Sequence, residues 1–144
     1  MILYLDASAL VKRYVAETGS ADVDRLIAQA EVVGTSVLSR VEVSAALAKA
    51  ARVKLVSEVE ASTALRKFRA QWIDLVRLQV TEGLIAQADA LAWEYGLRGY
   101  DAAHLAAVLF WQETIGEPVT LATFDRQLWQ VSGPSGLAVW PHKL

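Results

Sequence analysis

An α/β fold with a parallel sheet is the prediction of this sequence, and three observations carry it. Short apolar runs rich in β-branched residues, "ILYL", "VVGTS", "VRLQV", "VTLAT" and a weaker "LAVW", are spread along the chain. Longer segments of helical periodicity separate them, which is the pattern of βαβ units. Finally, 144 residues at 54% hydrophobic, with no Gly, Ser or Pro run long enough to be a linker, read as one compact domain over residues 1–144 with a real core.

Taken in order, "ILYL" gives a first strand and "ASALVKRY" a first helix, followed after Gly19 by the helical "SADVDRLIAQA". "VVGTS" is the second strand and "SRVEVSAALAKAA" the helix behind it. In "SEVEASTALRKFRAQWIDL", Ser57 and Glu60 form a capping box. "VRLQV" follows as a third strand, then "TEGLIAQADALAWEYG" and "YDAAHLAAVLFWQETIG", which Gly96 and Gly116 stop. "VTLAT" is the fourth strand, "FDRQLWQVSG" the last helix, and "SGPSG" the turn into the final short strand. There is no internal repeat and no low-complexity tract.

Several function classes are excluded early. The chain has no cysteine, so disulfides, zinc-thiolate sites and thiol catalysis are out, which fits a reducing cytoplasm. Any metal must be held by oxygen or by the two histidines. "MILYLD" has neither the basic nor the apolar region of a signal or transit peptide. No window offers the eighteen or so apolar residues of a membrane span; "AAHLAAVLFW" is too short and is followed by Gln112 and Glu113, so it reads as a buried helix. Fourteen Lys plus Arg against sixteen Asp plus Glu leave a net charge of -2, which does not describe a generic basic nucleic-acid binder. A polyanion would need a local patch such as "VKRY", "KAARVK" or "RKFR", although charges on helices are more often solvated faces.

Ligands of an open parallel sheet bind outside the carboxyl ends of its strands, and the acids of this chain fall there. Asp6 ends the first strand, Glu42 lies early in the helix after "VVGTS", Asp101 begins "DAAHLAAVLF", and Asp125 sits just past "VTLAT". Each has a structural reading: Asp6 and Asp125 as N-caps, Asp101 as an N-cap or first-turn carboxylate, Glu42 as partner of Ser39 in an S-x-x-E box. Capping does not require that the four converge, whereas a parallel sheet brings these helix starts to one edge. Converging carboxylates at ~4 Å cost about 4 kcal/mol per like pair at an effective dielectric of roughly 20, so a cation belongs among them. Only Arg40 and Arg126 accompany the acids in the adjoining turns, which makes a divalent ion the more economical neutraliser, and oxygen ligands point to Mg²⁺ or Mn²⁺. Such a site suits phosphodiester hydrolysis by an activated water, with Ser8 and Thr123 as hydroxyls that orient a carboxylate or water; local capping and turn bonding are their alternative.

"LDASALVKRY", a Glu in the helix after strand two, "YDAAHLAA" and "ATFDRQL" together resemble PIN-domain ribonucleases, with the likeness closest to VapC-type toxins of toxin-antitoxin pairs. It runs from Leu3 to about Leu128. The resemblance implies a three-layer α/β/α sandwich with a central parallel sheet in the order 3-2-1-4-5. It implies an Mg²⁺- or Mn²⁺-dependent ribonuclease whose acidic quartet falls on Asp6, Glu42, Asp101 and Asp125, with supporting hydroxyls at Ser8 and Thr123. It further implies an RNA substrate, a small VapB-like antitoxin and a homodimer. All four acids are present, as a live nuclease requires. Ala7 stands where the family often has Thr or Ser.

The remaining residues are assigned more lightly. His104 shares a helix face with Asp101 and could reach the pocket, but a His before "LAAVLF" is more often packed and hydrogen-bonded. His142 reads as a tail residue. Lys12, Arg13, Arg40 and Arg98 are candidate contacts to an RNA backbone, with plain surface charge as the alternative. Most of the five tryptophans should be core. Of the competing readings, a dehalogenase-like phosphatase would need a second acid where Ser8 stands, and a response-regulator receiver would need a lysine where the late strand ends in Ala122 and Thr123. A housekeeping PIN nuclease and a catalytically silent PIN-fold binding module stay open.

Overall fold

The structure, a computed structural model, describes residues 1–144. All five expected strands form: β1 (Ile2–Leu5), β2 (Val32–Ser36), β3 (Val76–Leu78), β4 (Val119–Ala122) and β5 (Ala138–Trp140). They make one sheet, parallel throughout, in the order β3-β2-β1-β4-β5. The two edge strands, with a neighbour on one side only, are cut to three residues each, shorter than their apolar runs.

The central strand is buried on both faces, and its alternation sends neighbouring side chains to different cores. Leu3 and Leu5 join Leu10, Val43, Leu47 and Phe68 on one side, while Tyr4 joins Leu105, Val108, Trp111 and Leu121 on the other. The first core is roofed by α1 (Ala7–Leu10), α2 (Ser20–Gln29), α3 (Leu38–Arg52) and α4 (Glu58–Gln71). The second is roofed by α5 (Glu82–Tyr95), α6 (Gly99–Ile115) and α7 (Arg126–Ser132). This is the expected three-layer sandwich. Its α6 is buried over almost its whole first half, as the apolar run around His104 indicated.

Two glycines have specific jobs. Gly96 closes α5 at φ 66°, in the left-handed region that a Cβ disfavours. Gly34, paired with Tyr4 across β2 and β1, lies under Trp111, and a Cβ there would come within 2.7 Å of the indole.

Some elements depart from their sequence signals. The first helix makes a single α turn and tightens into a 3₁₀ turn at Val11–Arg13, and α4 likewise gives way to a 3₁₀ turn at Trp72–Asp74. Ser57 caps α4 as expected, its Oγ accepting from the Glu60 N–H at 3.1 Å, but the Glu60 carboxylate accepts from the Ser57 hydroxyl at 3.1 Å instead of closing the box on the Ser57 N–H. Of the tryptophans, only Trp72 and Trp111 are buried; Trp129 and Trp140 are half-buried, and Trp93 on α5 stands 92% exposed. No helix is long and apolar enough to cross a membrane.

The sheet order places the topological switch between β1 and β4. From β1 the chain proceeds outward through β2 and β3, then returns to lay β4 and β5 on the other side. Helices leaving neighbouring strands at such a point diverge, and a crevice opens at the carboxyl edge.

Candidate active site

That crevice is where Asp6 lies. Leu5 pairs with Ala122, so the residues just beyond them, Asp6 and Thr123, are also neighbours. Thr123 Oγ1 donates to Asp6 Oδ2 at 2.5 Å. The other oxygen, Oδ1, accepts from Ser8 Oγ at 2.7 Å and from the Ala9 N–H at 2.9 Å, which makes Asp6 the N-cap of α1. The two hydroxyls are themselves held by the start of the β4–α7 connection: Ser8 Oγ accepts from the Phe124 N–H at 2.8 Å, and Thr123 Oγ1 from the Asp125 N–H at 3.0 Å. Three donors favour the ionised carboxylate, but Asp6 is only 3% exposed, and burial outweighs them and holds its pKa above the ordinary value.

Asp125 caps α7, its Oδ1 accepting from the Leu128 N–H at 3.0 Å. Asp101 is not a cap. Arg98 occupies the N-cap position of α6 without a side-chain capping bond, and Asp101 stands in the first turn. The Arg98 guanidinium turns back onto both acids, Nε donating to Asp101 Oδ2 at 3.0 Å and Nη2 to Asp125 Oδ2. It thus ties the start of α6 to the start of α7. Burial and the nearby Asp125 charge raise the Asp101 pKa, with Arg98 opposing them.

Glu42 does not make the box expected with Ser39. The cap is Val37, two residues earlier, with the helix starting at Leu38, and Ser39 Oγ is taken by Thr35 Oγ1 at 2.6 Å. Glu42 instead meets α6, where His104 Nε2 lies 2.6 Å from its Oε1. His104 Nδ1 bonds the Tyr4 hydroxyl at 2.7 Å. Burial pushes the imidazole pKa down, but the bond to Glu42 and the charges of Asp6, Glu42 and Asp101 prevail and hold it above its ordinary value.

The four acids therefore share one electrostatic neighbourhood: Asp101 feels Asp125 and Asp6, and His104 feels Asp6, Glu42 and Asp101. As they stand, no three of them form a cluster that could close on a metal ion. Each carboxylate has its own protein partner instead, and two share Arg98. A cation among the acids was expected; the arginine that supplies it here was not, since Arg40 lies over the Trp72 ring at 5.6 Å and Arg126 is an exposed residue of α7. Lys12 is also engaged, its ammonium 2.9 Å from the Thr18 carbonyl, 3.1 Å from Glu17 and 4.4 Å from the centre of the Phe124 ring.

The donor chemistry fits a hard divalent cation. Four carboxylates face one arginine and one histidine, an excess of negative charge in a partly desolvated crevice, and every available ligand atom is oxygen or imidazole nitrogen. Arg98 is half exposed, at 51%, so its side chain is free to leave Asp101 and Asp125 without unpacking the core.

A five-stranded parallel sheet in this order, with acids at the switch point, defines a class: residues 3–133 match the model of the PIN domain, and the chain belongs to the PIN-domain family. Within that family it stands with the VapC proteins. It is 35% identical over 144 residues to Ribonuclease VapC45 of Mycobacterium tuberculosis (strain CDC 1551 / Oshkosh), covering 99% of this chain and 97% of that one. It is 36% identical over 128 residues to Ribonuclease VapC3 of Pyrobaculum aerophilum, covering 89% and 92%. Among solved structures, PAE2754 from Pyrobaculum aerophilum matches with a TM-score of 0.66 at 27% identity, over 96% of this chain and 83% of that one.

Two partners of the site were not legible as such. Tyr4 precedes Asp6 by two residues on a strand and so shares its face, and a buried phenol needs a hydrogen-bond partner; that was the available signal. Arg98 was visible only as a charge near Asp101, with nothing local to connect it to Asp125.

Proposed function

We propose that the protein is an Mg²⁺- or Mn²⁺-dependent endoribonuclease, the toxin of a toxin-antitoxin pair that acts in the cytoplasm. The observation that carries this reading is the position of Asp6, a buried carboxylate at the β1/β4 switch point with both oxygens fixed by hydroxyls and a backbone N–H. Asp6, Glu42, Asp101 and Asp125 would hold the ion. When bound, such an ion supplies charge stabilisation at the phosphoryl oxygen and a lowered pKa for water.

The chain's own contribution is orientation and proton handling. Ser8 and Thr123 keep Asp6 directed at the crevice, and a carboxylate at the rim can accept the proton of the attacking water. Arg98, once off the acids, would be free to meet a substrate phosphate. Arg13, expected as a second contact, lies instead with Glu31, Val32, Asp74 and Val76 at the amino edge of the sheet, away from the crevice. The fold offers surfaces for partners as well. Ile85 and Tyr100, exposed on α5 and α6, line a groove with Leu38, Ala88 and Ala103, and a small antitoxin and a second copy of this chain are the partners that the VapC likeness implies.

Cleavage of total RNA by the purified protein, with and without EDTA, tests the reading. Metal-dependent cleavage by the wild type and none by Asp6→Asn is the expected result. Equal behaviour of the two proteins in every condition would leave a silent binding module.

A further inference from the structure

Glu42 differs from the other three acids in how it is held. Asp6 and Asp125 are pinned by backbone N–H groups as helix caps, and Asp101 sits in a first turn beside the arginine that precedes it. Glu42 lies inside α3, beyond reach of any free backbone donor, with three rotatable bonds to fix. Its one protein partner is His104, on the helix covering the opposite face of the sheet.

That histidine is itself immobile. It is 1% exposed and packs edge-on against Tyr4 with ring centres 5.9 Å apart. Both ring nitrogens are used, one by Glu42 and one by Tyr4. A carboxylate only accepts, so Nε2 carries the hydrogen whatever the charge of the ring; the Tyr4 hydroxyl donates to Nδ1 when the ring is neutral and accepts from it when the ring is charged. Tyr4 is fully buried in the central strand, two residues before Asp6. The direction of Glu42 is therefore set by a rigid chain of groups anchored in the same strand that carries Asp6.

We propose that His104, held by Tyr4, is a positioning residue that fixes Glu42 through Oε1 and leaves its second oxygen directed to the metal crevice. This rests on the reading of Glu42 as a metal ligand. Outer partners of ligating carboxylates commonly matter 10–100-fold for metal affinity, and the histidine takes that role here although it binds no metal itself.

Mn²⁺ titration calorimetry on the intact protein tests this, with the melting temperature of each metal-free variant measured alongside. Glu42→Gln is expected to weaken Mn²⁺ binding, His104→Ala to weaken it by about 10–100-fold, and Tyr4→Phe to weaken it less. His104→Gln, whose amide can still donate to Glu42, is expected to recover most of the affinity. In a Glu42→Gln background, His104→Gln and His104→Ala should bind alike, because the group being aimed is gone. The near-isosteric His104→Gln and Tyr4→Phe keep the test available should His104→Ala fail to fold. If Glu42→Gln weakens binding but the His104 variants change only the melting temperature, His104 is a core residue and the proposal falls alone. If Glu42→Gln leaves Mn²⁺ affinity unchanged, the ligand reading of Glu42 falls and takes this proposal with it.

Discussion

The two halves of the acidic crevice are held together by different means. On the β1 side, Asp6 is buried and bonded by neutral donors, two hydroxyls and one N–H, each itself fixed by the backbone. On the α6–α7 side, Asp101 and Asp125 are bonded by one half-exposed guanidinium on a long side chain. Neutral, packed donors preorganise a carboxylate without cancelling its charge; a mobile cation cancels charge without fixing position. On the proposed reading the first half would seat an ion, and Arg98 in the second would have to release Asp101 and Asp125 for them to join it.

The largest effect should come from Asp6→Asn. Metal-dependent cleavage should be lost, yet the metal-free protein should melt at the same temperature or higher at neutral pH. Asparagine keeps the N-cap and removes a buried charge. The sign follows from the raised Asp6 pKa: its favourable contribution is complete below the ordinary carboxylate pKa and is lost as pH rises through the higher folded value. Melts across pH 4 to 8, a range of roughly that span, should show the variant gaining on the wild type as pH increases.

Thr123→Val should come next, through stability. It deprives both Asp6 Oδ2 and the Asp125 N–H of a partner while keeping the volume, and a buried polar group left unsatisfied costs about 1–3 kcal/mol. Chemical denaturation measures it; a cost under a few tenths would mean that the β1 half is not preorganised by its hydroxyls.

Arg98→Gln should act in the opposite direction on the two observables. Arg98 is half exposed, so water screens its ion pairs and the loss of folding stability should be small. Mn²⁺ affinity should rise, because a competing cation has gone from Asp101 and Asp125. A fall in affinity, read by calorimetry, would show that Arg98 supports the metal-bound arrangement instead. The smallest effect is ionic: raising salt should screen the Arg98 bridge and leave the Asp6 bonds unchanged, so the salt dependence of unfolding should shrink in Arg98→Gln.

What the sequence could reveal about this site tracks the range of each interaction. Asp6 and Asp125 were legible as a strand end and helix caps because a cap is decided by residues three apart, and so were the five strands, whose apolar runs mark a sheet covered by helices, although β3 and β5 at its edges are more exposed than β1. The Ser39–Glu42 box had the correct spacing and still failed. Thr35, near the end of β2, claims the Ser39 hydroxyl, and α3 starts at Leu38 with Val37 as its cap, so the local motif lost to a helix start two residues out of step. The Arg98–Asp125 and His104–Glu42 pairs join residues 27 and 62 positions apart, and no periodicity encodes a partner at that distance. The charge excess was legible; the identity of the side chains that answer it was not.

Calorimetric Mn²⁺ titration of the wild type and Asp6→Asn, each first stripped with EDTA, tests most directly whether Asp6 is the seat of a metal ion. Binding to the wild type that is abolished in a folded Asp6→Asn is the predicted result. Equal binding by both, or by neither, would contradict it and return Asp6 to the role of a helix cap.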